Sequence, residues 1–362
     1  MPKTIAILTG GGDAPGLNAV IRAAVKTVVL HYRDRILGIP DGYDGLVSKS
    51  APIPLDMSSV AGLLYRGGTI LGTSNRGDPF HYPVEENGKI IKKDMSGVLL
   101  QRLKELEVDA LIVIGGDGSL TIAKELAELG APIVGVPKTI DNDISATDVT
   151  FGFDTAITTA TEALDKLHTT AESHHRVMVM EVMGRNAGWI ALECGIAGGA
   201  DVILIPEIPF TWEAIFNKIE ARNRHGRKFS IVVAAEGAYC AGGQQVVQAS
   251  AAETHGLVRF GGIGHLVGQE ISRNLNMETR VTVLGHIQRG GKPSTFDRLL
   301  ATRFGVEAVH LARRAEFGHM VTLRNSRIVS VPLTQAVGRQ KLVDPEGQMV
   351  RTAEVIGICV GR

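Results

Sequence analysis

The sequence predicts an α/β fold of two lobes, each a mostly parallel sheet covered by helices on both faces. Short apolar runs alternate with longer stretches whose apolar residues recur every three or four positions, the pattern of buried strands separated by amphipathic helices. Glycines gather where the runs end, at Gly10, Gly11, Gly12, Gly115, Gly116, Gly118, Gly184, Gly237 and Gly285. In parallel sheets, ligands sit beyond the carboxyl ends of the strands, so the glycines place the chemistry there. At 362 residues and 44% hydrophobic content, the chain has material for two cores.

Residues 5–8, 36–39, 110–114, 133–136, 177–182, 202–205, 231–234 and 281–284 read as strands. Residues 17–29, 119–129, 156–171, 187–197, 212–221, 257–274 and 296–312 read as helices. Repetition of strand and helix in this order calls for right-handed crossovers and hence parallel pairing. Residues 78–97 interrupt it; Glu85-Glu86-Asn87-Gly88 is a turn signal, and an exposed hairpin or loop is expected. The polar turn 139–147, followed by a long helix from Phe153, is a candidate hinge between lobes.

Composition excludes several classes of function. Thirty-eight basic residues balance thirty-eight acidic ones, leaving no net charge to recruit nucleic acid or a membrane surface. Cys194, Cys240 and Cys359 are too few and too scattered for a disulfide framework or a zinc knuckle, which fits reduced thiols in a cytoplasm. No apolar stretch approaches the eighteen or so residues of a membrane span, and no signal peptide is visible at the start. A cytoplasmic protein is expected.

The motifs point to phosphoryl transfer. Gly115-Gly116-Asp117-Gly118-Ser119 ends an apolar run and opens a helical pattern, so its backbone N–H groups and the helix dipole suit an anion while Asp117 offers a hard carboxylate to Mg²⁺. Gly10-Gly11-Gly12-Asp13-Ala14-Pro15-Gly16 repeats this arrangement after the first run, with Pro15 expected near the first turn of the following helix. It is no dinucleotide fingerprint, since Pro15 stands where G-x-G-x-x-G needs glycine; His286 and Pro293 likewise defeat a Walker match at Gly290-Gly291-Lys292. Lys138-Thr139-Ile140-Asp141-Asn142-Asp143 collects a cation, a hydroxyl and two carboxylates on one turn. A sugar hydroxyl needs a base to attack phosphorus, and Asp141 is the candidate. Arg176, Arg185, Arg280, His286 and Arg289 read as a second anion pocket on the same rim, of the kind a sugar phosphate requires.

With these motifs in order, the chain resembles the phosphofructokinase family from Thr4 to about His319. The resemblance rests on Gly11 to Asn18, Gly67 to Gly72, Gly115 to Ser119, Thr139 to Asp143, Met183 to Arg185, Glu236 and Gly285 to Gly291. It implies transfer of a terminal phosphoryl group to the 1-hydroxyl of fructose 6-phosphate, with Mg²⁺. It further implies donor contacts at Gly12, Arg76, Gly116, Asp117, Gly118, Ser119 and Lys138, Mg²⁺ carboxylates at Asp117 and Asp143, and Asp141 as base with Arg185 neutralising charge. The sugar phosphate would be held by Thr139, Ile140, Asp141, Arg176, Met183, Gly184, Arg185, Glu236, Arg280, His286, Ile287, Gln288 and Arg289. In such enzymes the residues matching Arg176 and Arg280 come from a neighbouring subunit, so a homodimer or homotetramer is implied. The donor lobe would comprise residues 1–150 with a returning segment near 290–320, and the sugar-phosphate lobe residues 151–289 with 321–362.

The donor separates two readings. Gly118 points to ATP, because pyrophosphate-dependent relatives commonly carry an aspartate there whose charge and volume obstruct the α-phosphate of ATP. Lys138 is a feature of the pyrophosphate enzymes. A lysine stabilises the transferring phosphoryl whichever donor supplies it, so Gly118 carries more weight; ATP is expected, with pyrophosphate the alternative. Remoter alternatives are a kinase of the NAD or lipid type and a non-catalytic sugar-phosphate sensor. The second anion pocket argues against the first, and the intact Asp117, Asp141 and Asp143 against the second. The C-terminal extension beyond about residue 323 carries no readable chemistry.

Overall fold

The structure, a computed structural model, describes residues 2–74, 77–86, 88–249 and 259–362. It divides into two compact units, residues 1–154 with 289–340 and residues 155–288 with 341–362.

In the first unit the sheet runs, edge to edge, Arg327–Pro332, His319–Arg324, Ile133–Thr139, Ala110–Gly115, Thr4–Thr9, Arg35–Ile39 and Ile53–Leu55, with the short strand Phe151–Gly152 beside Ile133–Thr139. Pairing is parallel from His319–Arg324 through Arg35–Ile39 and antiparallel at both edges. Period-two alternation splits the apolar runs between two cores. Ile5, Ile7, Ile112, Ile114, Val134 and Val136 pack with Leu17, Val20, Ile21, Leu300 and Phe304, from the helices Leu17–Lys26 and Thr295–Arg314. Ala6, Leu8, Leu111, Val113 and Ile133 face the other way, onto Leu99, Leu103, Leu120 and Leu126 of the helices Ser96–Glu105 and Asp117–Glu128. Each such side chain, fully buried, contributes about 1.5–3 kcal/mol, so both faces are firmly covered.

The second unit holds a four-stranded parallel sheet in the order Val202–Leu204, Ser230–Ala235, Val177–Val182 and Thr279–Val283. Val177, Val179, Val202, Leu204 and Val232 pack on Ile215, Ile219, Ile263, Val267 and Ile271 of the helices Trp212–Arg224 and Ile263–Leu275. Met178 and Met180 are buried on the opposite face of their strand, as the alternation requires.

Several expectations need correction. Residues 321–340 lie with the first unit, because His319–Arg324 adds to that unit's sheet at Ile133–Thr139 and turns back as Arg327–Pro332. The turn 139–147 is no hinge: Asn142 accepts the N–H of Thr150, and Ala146 accepts the hydroxyl of Thr322, both within the first unit. The division falls instead at Asp154, inside the helix Phe153–His174. Pro15 precedes the first helix, whose N-cap is Gly16 at φ 111°. The exposed hairpin expected within residues 78–97 is present, Tyr82–Glu86 pairing with Lys89–Lys93, and the helix Ser96–Glu105 follows at once. The helix expected at 257–274 is described as Ile263–Leu275; residues 257 and 258 lie outside the described residues. Among the described residues no helix is long and apolar enough to cross a membrane.

Candidate active site

Three loops leave the carboxyl ends of adjacent parallel strands of the first unit and converge. Thr9 is in register with Ile114, and Gly115 with Pro137, so the segments after Thr4–Thr9, Ala110–Gly115 and Ile133–Thr139 begin at one level of the sheet. Gly10 donates to Ile114 O at 2.9 Å, fixing the first loop to the second. The side chain of Ser119 is wedged between them: a Cβ on Gly115 would lie 2.4 Å from Ser119 Cβ, and one on Gly10 2.7 Å from Ser119 Oγ. Only glycine fits at those two positions. Gly116 is extended (φ −82°, ψ −171°) and caps the helix Asp117–Glu128, whose first-turn N–H groups and dipole are presented at this junction.

Lys138 enters from the last residues of the third strand, Ile133–Thr139, 3% exposed, and its Nζ donates to Gly12 O. Gly116 lies close by, since a Cβ there would sit 3.4 Å from Lys138 O. Burial, then repulsion from Arg289, holds the Lys138 ammonium down to about 8, against pull from Asp13, Asp141 and Asp143. Arg289 donates to Asp13 O at 3.2 Å, and its guanidinium lies 3.0 Å from where a Gly12 Cβ would stand. Arg289 thus belongs to this loop cluster in the first unit.

Asp141 is half-buried, and burial together with the neighbouring charge of Asp143 lifts its carboxyl to about 6, against Arg289 and Lys138. A carboxylate so placed is a stronger base than a solvated one yet still ionised at neutral pH. Asp143 is also raised, chiefly by burial, with Asp117 among the causes. The two carboxylates therefore lie within electrostatic reach of each other. No cluster of three or more His, Cys, Asp or Glu ligands occurs among the described residues. Two hard carboxylates suit an ion that keeps waters and takes substrate phosphates for its other ligands, as Mg²⁺ does.

Thr139 is buried; its hydroxyl accepts the N–H of Asp141 at 3.0 Å and bonds the Asp143 carboxylate, so it organises the loop. Ile140, expected to touch substrate, is fully buried, backbone included, and presents no surface to a ligand. Arg76 lies outside the described residues.

In the second unit, Met183 and Gly184 leave the strand Val177–Val182, and Glu236 leaves Ser230–Ala235 beside it. Glu236 N donates to Val182 O at 2.9 Å and Gly237 N to Gly184 O at 3.1 Å, lacing the two turns; Arg185 extends from them, exposed. Gln288, expected to touch substrate, is wholly buried and accepts the Met183 N–H at 2.8 Å, so it braces that turn instead. His286 and Ile287 precede it on the 3₁₀ turn Gly285–Arg289 and are exposed.

Arg176 and Arg280 do not join them. Arg176 precedes the strand Val177–Val182, whose carboxyl end carries Met183 about 20 Å away, and Arg280, in register with Met178, lies at the same end of the neighbouring strand Thr279–Val283. Glu278 holds both guanidiniums there, Arg176 at 2.8 Å. The five cations expected on one rim are therefore divided within the chain. Sequence reasoning also missed Tyr43, buried, whose hydroxyl donates to Ser119 O at 2.8 Å and steadies the glycine junction.

A family model for phosphofructokinase matches residues 4–312. The chain belongs to the phosphofructokinase family. It is 54% identical over 358 residues, 98% of each chain, to ATP-dependent 6-phosphofructokinase 2 of Clostridium perfringens. It is 50% identical over 342 residues, 94% of this chain and 96% of the other, to the pyrophosphate–fructose 6-phosphate 1-phosphotransferase of Streptomyces coelicolor. The phosphofructokinase of Pichia pastoris, solved in the T-state, superposes with TM-score 0.78 at 32% identity over 98% of this chain, which spans 36% of that longer one. Glycine loops at adjacent parallel strand ends are thus seen here in a phosphofructokinase.

Proposed function

We propose that this chain is a 6-phosphofructokinase that transfers the γ-phosphoryl group of ATP to the 1-hydroxyl of fructose 6-phosphate in glycolysis. The observation that carries this reading is Asp141, lifted to about 6 beside Lys138, Arg289 and the glycine loops. Gly12, Gly116, Gly118 and Ser119 cradle the donor phosphates on backbone N–H groups, Arg76 adds a further donor contact, and Lys138 supplies charge without an exposed ammonium. Asp141 takes the proton of the attacking hydroxyl, and Arg185 offsets the charge that develops. Asp117 and Asp143 would hold Mg²⁺. The chemistry that ion supplies, when bound, is neutralisation of the phosphoryl oxygens.

The first unit is the donor lobe in this reading, and the second carries the acceptor contacts Met183, Gly184, Arg185, Glu236, His286 and Ile287. Arg176 and Arg280 serve a neighbouring copy's 6-phosphate, which makes the active protein a homo-oligomer in the cytoplasm. The close likeness to an enzyme named for ATP and the open space around Gly118 support the donor assignment. Lys138 against Gly12, with the Streptomyces coelicolor relative, favours pyrophosphate as the second reading.

Assay of the purified protein on fructose 6-phosphate with Mg²⁺, supplying ATP and pyrophosphate separately, tests both. Turnover with ATP alone is expected. Turnover with pyrophosphate alone would replace the first reading with the second, and turnover with neither would remove the phosphofructokinase assignment of activity.

A further inference from the structure

The C-terminal extension, silent in sequence, reaches the loop that bears Asp141 and Asp143. Three contacts fasten it there: Ile144 and Gln340 form an antiparallel bridge, the Ser145 hydroxyl donates to Arg339 O, and Gln340 Nε2 donates to Asp143 Oδ2 at 3.1 Å. We propose that Gln340 is a positioning residue that holds the Asp143 carboxylate in the orientation needed to ligate a divalent cation. This rests on the reading of Asp143 as a metal carboxylate given above.

The count of lone pairs supports it. A carboxylate offers about four acceptor sites. Asp143 accepts Gln340 Nε2 at Oδ2, and its own backbone N–H and the Thr139 hydroxyl also favour its charged form, so a metal ion would take an oxygen lone pair that these donors leave open. Two of these donors lie within the loop; Gln340 comes from 197 residues further along the chain. It therefore ties the orientation of the carboxylate to the fold at large and not to the loop alone. A neutral amide is also the right chemical choice. It fixes the carboxylate without adding positive charge, whereas a cation at the same distance would compete electrostatically with a dication.

The test is a Mn²⁺ titration, followed by electron paramagnetic resonance, of the full chain with a β,γ-imido analogue of ATP. Gln340→Met keeps the length and loses the donor; Gln340→Lys keeps a donor and adds charge. Each variant is expected to raise the Mn²⁺ dissociation constant about tenfold, the usual effect of removing an outer-shell partner. The Mg²⁺ concentration for half-maximal activity should rise with it, while kcat at saturating Mg²⁺ stays within about twofold. Wild-type Mn²⁺ affinity in Gln340→Met would overturn the proposal. Should Gln340→Met fail to fold, Gln340→Ala, which also loses the donor, decides in the same way. Because Mn²⁺ binding needs no turnover, the comparison stands even if neither donor phosphorylates fructose 6-phosphate.

Discussion

Replacing Lys138 by Met should stabilise the ligand-free protein, by an amount that depends on pH in a defined direction. The ammonium titrates near 10.5 when solvated and near 8 in the fold. A folded-state value below the unfolded one means that protonation opposes folding; the penalty is absent well above 10.5, grows as pH falls and is complete below 8. At 1.36 kcal/mol per unit, the interval amounts to about 3 kcal/mol at pH 7, falling to under about 1 kcal/mol at pH 10. Met loses the hydrogen bond to Gly12 O, worth about 1 kcal/mol at either pH, so the net gain is about 2 kcal/mol at pH 7 and near zero at pH 10. Urea unfolding of both proteins at the two pH values, followed by circular dichroism without Mg²⁺ or nucleotide, measures this. Activity should meanwhile collapse, because the charge that destabilises the empty site serves the bound phosphates. A Met variant less stable than wild type at pH 7, or a difference that does not shrink toward pH 10, would show that Lys138 is not held against its charge.

Asp141→Asn should lower kcat by about 10²–10⁴-fold with fructose 6-phosphate affinity retained, as measured by calorimetry and steady-state rates. The same variant without metal should gain at most about 3 kcal/mol at pH 7, since a folded carboxyl near 6 against 3.8 makes ionisation costly above 6; the gain should vanish below about pH 4. Gly118→Asp should fold normally, because a Cβ there meets nothing within 4 Å, while kcat/KM with ATP falls by at least about tenfold and pyrophosphate is spared. Gly115→Ala should destabilise by about 1–3 kcal/mol in thermal melts, its methyl being forced to 2.4 Å from Ser119 Cβ.

What could be read from the chain, and what could not, follows from the range of the interactions involved. The glycine junctions were legible because strand, glycine turn and helix N-terminus occupy one short stretch, and the requirement for no Cβ at Gly115 arises four residues away at Ser119. Tyr43 and Gln340 were not, since their partners Ser119 and Asp143 are 76 and 197 residues distant and nothing local marks either residue. The strands His319–Arg324 and Arg327–Pro332, the last two on one side of the first unit's sheet, escaped notice because both carry charged or polar residues, unlike the continuous apolar runs of the central parallel strands. Arg176 and Arg280 were misplaced for a different reason: each stands just before or at the start of an apolar run, a position that marks the amino end of a strand, whereas Met183 and Glu236 follow theirs.

That division bears on the proposal that the active protein is an assembly. A dianionic sugar phosphate bound at the turns carrying Met183 and Glu236 cannot be reached by Arg176 or Arg280 of the same unit, because the length of the strand separates them. Both arginines are nonetheless kept together by Glu278, whose own carboxyl is drawn below its usual range, first by the hydrogen bond from Arg176. A carboxylate shared by two guanidiniums leaves the group cationic on balance and fixes its spacing, which is the condition for gripping a phosphate that another copy presents. An isolated chain would then bind fructose 6-phosphate through half its cations. Substituting Arg280 should weaken that binding only in the assembled protein.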